Sequence, residues 1–453
     1  MVTITFPTNN IKERVYTLSV IFKNFLKIPY QLSQGNPTDT QTIIEFENRK
    51  KITIKDAFFS RFPEELSYLK KEHIPTNIEC FSHKLLEAPL PTLFGQPKIE
   101  EKSEECIVHI DIFATIFFML TRWEEYVETK RDTHNRFSHL DSVAYKFNFL
   151  ERPIVNEYIE FLWSLFLQYE CEERREKRAF SLLVTHDVDE ILRYPNFTKV
   201  IKGMVGDILH RKDPLLSIKT LYTYGAIKQK KIKDPYDTFD EIMDLSDEHD
   251  IKSYFFFMSG GTSRYDNRYS INDPKVKKII DNIKRRGHYV GFHPSYNAYN
   301  NPEQFKIEKE ALQRVNGEPI KCGREHYLRF EVPTTWQIWE DSKLEWCSNL
   351  AYAKKDGFRA GCCYPYPVFN ILTQEKLNLI ERPLIMMEVT FMEQINDYDK
   401  IEKKIDYYMR TIKKYNGEFV LLWHNAAFKE HELKQYAPLY EKTIKKYKQL
   451  AKV

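Results

Sequence analysis

Short apolar runs alternate with longer segments of helical periodicity along the second half of the chain. The apolar runs have the length of buried strands: FSLLVT (180–185), KSYFFFM (252–258), HYVGFH (288–293), PLIMMEVTF (383–391) and EFVLLWH (418–424). The segments between them place apolar residues at helical spacing: YDTFDEIMDLSDEHD (236–250), DPKVKKIIDNIKRRG (273–287), NPEQFKIEKEALQRVNG (301–317) and DKIEKKIDYYMRTIKKYNG (399–417). This alternation predicts βαβ units and a parallel sheet. Six or seven such units in about 270 residues are typical of a closed barrel.

The first half of the chain has a mixed pattern without this regular alternation. Three segments alternate as strands do: VTITFP (2–7), IIEFEN (43–48) and KITIKDAFF (51–59). KERVYTLSVIFKNFL (12–26) has helical spacing, and IDIFATIFFMLTRWEEYVE (110–128) predicts a mostly buried helix. The charged run CEERREKR (171–178) then separates this half from the next. We therefore expect a smaller mixed α/β domain over residues 1–175 and an α/β barrel over residues 176–453.

Arg122, Glu124 and Glu125 are charged residues of the first half that lie close together on one predicted helix. They could serve chemistry, but ion pairing on a solvated helix face explains them more simply. We expect ion pairing, and the role of the first domain stays open.

The composition is that of a well-packed globular protein. Hydrophobic residues make up 42% and aromatic residues 14% of the sequence, which excludes a disordered chain. A net charge of +3 gives no reason to propose nucleic acid or an anionic membrane as a partner. The most apolar stretch, IFATIFFML (112–120), is about half a membrane span, and the N-terminus has no export signal. The seven cysteines follow no disulfide framework, so we expect a soluble cytoplasmic protein of undetermined oligomeric state.

Polar residues follow three of the predicted strands at the point where each strand ends. FSLLVT leads to Asp187 and Asp189, HYVGF to His293, and FVLLW to His424. The carboxyl ends of parallel strands meet at one edge of a sheet, where active sites form. Aspartate and histidine together suit Zn²⁺, Fe²⁺, Co²⁺ or Mn²⁺. Each group alone has a simpler interpretation, because an aspartate can cap the next helix and a strand-end histidine is often structural.

CGREHYLRF (322–330) forms a fourth polar group, with Arg324, His326 and Arg329 close together before a proline-containing loop. These side chains could bind substrate or orient a catalytic carboxylate. The alternative interpretation is a charged strand edge.

THDVD, then GHYVGFH, then the arginine-rich loop, then LLWH resemble, in this order, the polysaccharide deacetylase family (carbohydrate esterase family 4) over residues 180–430. The resemblance implies a distorted (β/α)7 barrel that removes acyl groups, usually N-acetyl, from amino sugars with a divalent metal. Zn is the expected metal, with Co, Mn, Fe and Ni as alternatives.

The resemblance also implies a role for each matched residue. Asp187 is the catalytic base, Arg324 orients it, and His424 is the general acid. Asp189 and His293 are metal ligands, and Asn297 stands where the family has a second ligand histidine.

Asn297 is a departure from the family pattern, because an amide oxygen binds these metals more weakly than imidazole. His326 and His186 are alternative third ligands. We otherwise expect His326, Arg329 and Tyr296 to bind substrate, with Tyr327, Trp336 and Trp423 as further candidates for stacking on a sugar.

The predicted function is metal-dependent deacylation, of the N-deacetylase type, of an amino-sugar-containing carbohydrate or polysaccharide precursor. The substrate is expected to be a nucleotide-linked or lipid-linked amino sugar. Two other functions stay open. One is a catalytically lapsed carbohydrate-binding or scaffold protein, and the other is a glycosyltransferase that binds Mn²⁺ through its Asp-x-Asp.

Overall fold

The computed structural model describes residues 1–266 and 269–452, and the strands of its first part form a mixed sheet. These strands are β1 (Val2–Phe6), β2 (Tyr30–Gln34), β3 (Gln41–Glu45), β4 (Lys51–Lys55), β5 (Glu79–Phe81), β6 (Leu90–Thr92), β7 (Gly95–Glu101) and β8 (Glu105–Ile110). Six of them form a sheet in the order β2-β1-β3-β4-β8-β7, and β5 pairs with β6. The predicted strands near residues 2–7, 43–48 and 51–59 are therefore confirmed as β1, β3 and β4.

The helices of the first part cover this sheet and carry much of its core. They are α1 (Ile11–Ser19), α2 (Ile112–Thr121), α3 (Trp123–Val127), α4 (Val143–Lys146) and α5 (Ile154–Gln168), and α1 continues as π-helical turns over Val20–Leu26. The expected buried helix over 110–128 is two helices, because Arg122 adopts a left-handed conformation (φ 55°) that ends α2.

Arg122, Glu124 and Glu125 form ion pairs as expected, but their location on a solvated face is wrong. All three are buried, with side chains at most 2% exposed. Arg122 Nε and Arg359 Nε each donate to Glu125 Oε1 at 2.9 Å. Two guanidinium groups and two carboxylates therefore balance one another inside the protein, and Arg359 supplies the charge that the local sequence did not reveal.

The second part of the chain contains a larger, mainly parallel sheet. Its strands are β9 (Ser181–Val188), β10 (Ser253–Phe257), β11 (Tyr289–Phe292), β12 (Cys322–Gly323), β13 (Trp346–Cys347), β14 (Tyr366–Asn370), β15 (Glu375–Glu381), β16 (Met386–Met387) and β17 (Glu418–Leu422). The order is β14-β15-β13-β12-β11-β10-β9-β17-β16, and among the described strands of this sheet only β14 and β15 pair antiparallel. The parallel sheet is confirmed. In the described residues β14 and β16 are its two edges, so closure into a (β/α)7 barrel stays a prediction.

The connections between these strands and the segment after β17 contain nine helices in the described residues. They are α6 (Phe197–Leu209), α7 (Pro214–Lys228), α8 (Phe239–Glu248), α9 (Pro274–Arg285), α10 (Pro302–Asn316), α11 (Thr334–Asp341), α12 (Glu388–Ile395), α13 (Tyr398–Lys414) and α14 (Ala437–Ala451). The four helices predicted from periodicity are confirmed as α8, α9, α10 and α13. None of the described helices is both long and apolar enough to cross a membrane. The expected cytoplasmic location stays a prediction.

The strand predicted over 383–391 is largely wrong. Only Met386 and Met387 pair, with Leu421 and Leu422 of β17, and Glu388 begins helix α12. A short apolar run of this kind does not distinguish a buried strand from a buried helix. The change of structure at Glu388 places its carboxylate beside the end of β17.

Contacts join the two parts of the chain. Tyr16 Oη donates to Pro367 O at 2.9 Å, and Arg136 Nη1 donates to Tyr327 O at 2.8 Å. The boundary expected near residue 175 lies between α5 and β9, and the division into two domains there stays a prediction.

Candidate metal centre

Three side chains meet at the carboxyl edge of the parallel sheet. Asp189 follows β9, His293 follows β11, and His326 lies in a turn just after β12. Asp189 Oδ1 is 3.4 Å from His293 Nε2 and 3.6 Å from His326 Nε2. One ligand atom from each residue lies within 4.8 Å of the others.

Parallel pairing places the carboxyl ends of these strands side by side at the same edge of the sheet. The hydrogen-bond ladder continues past the strands, because His293 N donates to Phe257 O at 2.9 Å and Arg324 N donates to Phe292 O at 3.0 Å. Gly323 allows this close approach, since a Cβ atom there would lie 1.8 Å from Phe292 O. The short strand β12 thereby brings Arg324 and His326 beside His293.

The Nδ1 atom of each of the two histidines, His293 and His326, has a hydrogen-bond partner. His293 Nδ1 is 2.6 Å from the carbonyl oxygen of Arg324, and His326 Nδ1 is 3.3 Å from Asp266 Oδ1. These acceptors place a proton on Nδ1 and direct Nε2 towards Asp189. Histidines that bind metal are typically oriented in this way by carboxylates or carbonyls.

The geometry of the group fits a divalent cation. Asp189 Oδ1 is buried and accepts no hydrogen bond from the described residues. Ligands about 2.0–2.1 Å from a tetrahedral metal are spaced roughly 3.4 Å apart, close to the observed separations. Burial alone would raise the pKa of Asp189. The imidazoles of His293, His326 and His424 have the larger, opposite effect, so the pKa of Asp189 is lowered. One carboxylate and two imidazoles can therefore hold Zn²⁺ or a similar ion here.

Asp187 lies beside this group in a fixed orientation. Arg324 Nη1 donates to Asp187 Oδ1 at 2.9 Å, and Asp187 Oδ2 is 3.9 Å from His293 Nε2. Arg324 is fully buried and also donates to Thr185 Oγ1 and to Ser348. A guanidinium held at several points in this way positions the carboxylate of Asp187 against the cavity.

His424 faces the group from the end of β17. Glu388 Oε1 accepts from His424 N at 3.0 Å and lies 2.6 Å from His424 Nδ1. Burial alone lowers the pKa of His424, but the charge and hydrogen bond of Glu388 outweigh it and raise the pKa to about 10. His424 Nε2 lies 3.9 Å from Asp189 Oδ2. The imidazole thus carries a proton on the cavity side.

Glu388 was not recognised from the sequence. The available signal was a single carboxylate inside the apolar run PLIMMEVTF, because glutamate is rarely buried without a partner. Asp266 was missed for another reason, since it lies in a loop far from His326 along the chain.

The structure places other predicted residues outside this group. Asn297 is exposed, and its Oδ1 accepts from Arg329 Nη1 at 3.1 Å. The Arg329 guanidinium lies over the Tyr296 ring, 4.0 Å from its centroid. Among the described residues, none of these three lines the cavity that contains Asp189.

His186 also points away from the metal centre. Its Nδ1 is 2.6 Å from Trp423 O, its Nε2 is 3.3 Å from Tyr440 Oη, and burial lowers its pKa to about 3. Trp336 and Trp423 are fully buried in the core, whereas Tyr327 lines the cavity.

A cavity of about 350 Å³ opens above the metal centre. Asp187, Asp189, His293, His326 and His424 line its polar part. Its walls include the cationic side chains of Arg136 and Lys354 and the carboxyl groups of Glu325 and Glu393. Arg136 belongs to the first part of the chain, in which sequence reasoning found no convincing catalytic residues. Its loop is held there by the hydrogen bond to Tyr327 O.

In the comparison with family models, the first part of the chain has a match. Residues 2–170 match a family of unknown function, DUF7033, which is less than half of the chain. No curated protein matches the sequence.

Several solved structures resemble part of the chain. A candidate polysaccharide deacetylase from Mycobacterium smegmatis is 14% identical, with a TM-score of 0.39, over 60% of this chain and 84% of its own. One from Pseudomonas aeruginosa is 11% identical, with a TM-score of 0.37, over 63% and 91%. A CE4 family pseudoenzyme from Bacillus anthracis is 10% identical, with a TM-score of 0.31, over 60% and 61%. The chemistry of the site therefore rests on its own residues.

Proposed function

We propose that this protein is a metal-dependent hydrolase that removes the acyl group from an N-acylated amino sugar. The observation that supports this most directly is the convergence of three units on one cavity. They are the Asp189, His293 and His326 group, the Asp187–Arg324 pair and the His424–Glu388 pair.

The three-residue group would hold one divalent cation, with Zn²⁺ as the expected ion because carboxylate and imidazole are its common ligands. Such an ion polarises an acyl oxygen and lowers the pKa of water. His326 then takes the third ligand place that the motif gives to Asn297. An intact ligand set favours an enzyme over a lapsed binding protein.

The remaining polar residues suit the two proton transfers of amide hydrolysis. Asp187, held by Arg324 at 2.9 Å, accepts the proton of the attacking water. His424 donates its Nε2 proton to the leaving nitrogen as the C–N bond breaks. The acyl group leaves as a carboxylate and the sugar as an amine. Glu388 keeps His424 oriented and protonated for this step.

The cationic side chains in the walls of the cavity suit a substrate that carries phosphate. Its volume of about 350 Å³ lies in the usual range for small-ligand sites. Arg136 and Lys354 line it beside Glu393, and, whereas Arg136 pairs with Asp132, Lys354 forms no ion pair with the described residues. Guanidinium and ammonium groups are the usual partners of phosphate. We propose a nucleotide-linked or lipid-linked amino sugar on this basis.

Acetate release by the Zn²⁺-loaded protein tests the proposal. The substrates are N-acetylglucosamine, its uridine diphosphate derivative and N-acetylated oligosaccharides. We expect release from at least one of them, a loss of about 1,000-fold or more in Asp187→Asn, and unchanged release in Asp281→Asn on the exposed side of α9. Sugar binding without release in the wild type would contradict the proposal and favour a lapsed carbohydrate-binding protein.

Two further variants, assayed for acetate release and for sugar transfer, separate the glycosyltransferase from the hydrolase. That enzyme uses only the Asp-x-Asp unit, so His293→Ala and His424→Ala would leave its sugar transfer nearly intact. Both variants are expected to abolish deacylation.

A further inference from the structure

We propose that the α6–α7 hairpin (residues 196–233) docks this protein on an anionic lipid membrane. The hairpin is inserted between β9 and α8. Its apolar and polar faces are reversed relative to an ordinary surface hairpin, which buries its large apolar side chains. This surface is separate from the metal centre, and its role does not depend on the hydrolase proposal.

The inner face of the hairpin is built from small and polar residues. Thr220 Oγ1 donates to Asp207 Oδ2 at 3.0 Å, and Ser217 Oγ donates to Met204 O at 3.4 Å. A Cβ atom on Gly203 would lie 3.9 Å from Thr220 Cγ2. Close helix packing through small residues and side-chain hydrogen bonds is typical of helices whose outer surface meets lipid.

The outer face is apolar and exposed. Leu215 and Tyr222 are each 77% exposed, which is unusual for side chains of this size. They belong to two stripes at helical spacing that include Ile201, Ile208, Leu209 and Ile218. Exposed apolar stripes on two helices that pack together are the kind of surface that marks an interaction site.

The charge of the hairpin identifies the kind of partner. Residues 196–233 contain nine Lys and Arg and two Asp, a net of +7, whereas the whole chain carries +3, so the remainder carries −4. Asp207 is buried, and Asp213 accepts from Leu216 N at the start of α7. Six lysines of the hairpin form no ion pair with the described residues: Lys202, Lys212, Lys219, Lys228, Lys230 and Lys231. The near-neutral total charge therefore conceals a strongly basic surface.

Apolar stripes beside lysines match an anionic lipid surface. The apolar side chains enter the boundary between headgroups and acyl chains, and the lysines contact the anionic headgroups. A second copy of the hairpin would place two charges of +7 against each other, which disfavours self-association. Helices of 13 and 15 residues are about 20 Å long. They are too short to span a bilayer and lie in its surface.

The base of the hairpin lies near the carboxyl edge of the parallel sheet. Asp234 accepts from Arg193 N at 2.7 Å and from Tyr194 N at 3.1 Å, which closes the two ends together. Thr238 Oγ1 donates to Asn425 O at 2.9 Å, next to His424. A docked hairpin would therefore hold the edge that carries the cavity close to the membrane.

Co-sedimentation of the full chain with vesicles tests this proposal. The vesicles contain phosphatidylcholine alone or phosphatidylcholine with about one third phosphatidylglycerol. We expect binding to the anionic vesicles, at least tenfold weaker binding to neutral vesicles, and loss of binding at high salt. The triple variant Leu215→Gln, Ile218→Gln, Tyr222→Gln should bind at least tenfold more weakly.

Matched controls keep the result specific to the hairpin. Leu167→Gln, Ile307→Gln and Leu372→Gln change three apolar residues of 42–56% exposure elsewhere and should bind as the wild type does. His293→Ala should also bind normally, which separates failure of this proposal from failure of the hydrolase proposal. Equal binding by the triple variant, or no wild-type binding to anionic vesicles, would overturn the proposal. A dimer in solution that the triple variant disrupts, without vesicle binding, would overturn it too and make this face a protein contact.

Discussion

Replacing Glu125 by Gln should destabilise the protein strongly, because Glu125 pairs with two buried guanidinium groups. Arg122 Nε and Arg359 Nε both donate to Glu125 Oε1 at 2.9 Å, and all three side chains are at most 2% exposed. Gln keeps the shape but removes the charge and turns an N–H₂ group towards one of the arginines. Removing one partner of a buried ion pair costs about 3–5 kcal/mol. That is a large part of the total stability of about 5–15 kcal/mol that is typical of proteins.

Chemical denaturation followed by circular dichroism measures this free energy. The control is Glu402→Gln, because Glu402 pairs with Lys442 and both side chains are about half exposed (44% and 50%). Exposed pairs contribute about 0–1 kcal/mol. The difference in burial therefore predicts a much larger loss of stability in Glu125→Gln than in Glu402→Gln. A loss below about 1 kcal/mol in Glu125→Gln, equal to that of the control, would refute the reasoning.

Four further variants test the site and its scaffold. Asp266→Asn should weaken Zn²⁺ binding by about 10- to 100-fold, because it alters the acceptor that orients His326, and competition with a chelating dye measures this. Lys354→Ala should raise KM for a phosphate-bearing substrate about tenfold while kcat stays constant, because a charged hydrogen bond contributes about 1.5 kcal/mol or more. Gly323→Ala should prevent folding, since its Cβ would lie 1.8 Å from Phe292 O. Gly225→Ala should raise the free energy of unfolding by about 0.5–1 kcal/mol, because Gly225 lies inside α7 with nothing within 4 Å of the new atom.

Each of these variants has a result that would count against it. For Asp266, the control is Asp281→Asn, and equal metal affinity in both variants would mean that Asp266 does not support the centre. For Lys354, a fall in kcat with constant KM would exclude a role in binding phosphate. For the glycines, normal folding of Gly323→Ala would contradict the close approach of β11 and β12, and an unchanged or lower free energy of unfolding in Gly225→Ala would contradict the open space around Gly225.

The strands that carry the site could be predicted because each combines a short apolar run with a polar residue at its end. His293 and His424 are recognisable in this way, and the helices between the strands follow from their periodicity. Glu388 could not be placed, because the run around it gives no basis for choosing between strand and helix.

The third ligand could not be found from spacing along the chain. Asn297 occupies the motif position, but the chain turns after Pro294 and the Asn297 side chain meets Arg329. His326 is remote in sequence, and only the pairing of β11 with β12 brings it to His293. The same limit applies to Arg359 and Arg136, whose partners lie in the other part of the chain.

The central claim is the identity of the metal ligands, and metal content tests it most directly. The wild type, His326→Ala and Asn297→Ala are each purified, loaded with Zn²⁺ and dialysed, and their metal content is measured. A centre of Asp189, His293 and His326 predicts about one equivalent of Zn²⁺ in the wild type and in Asn297→Ala, and loss of the metal in His326→Ala. Metal retained by His326→Ala and lost from Asn297→Ala would contradict the account.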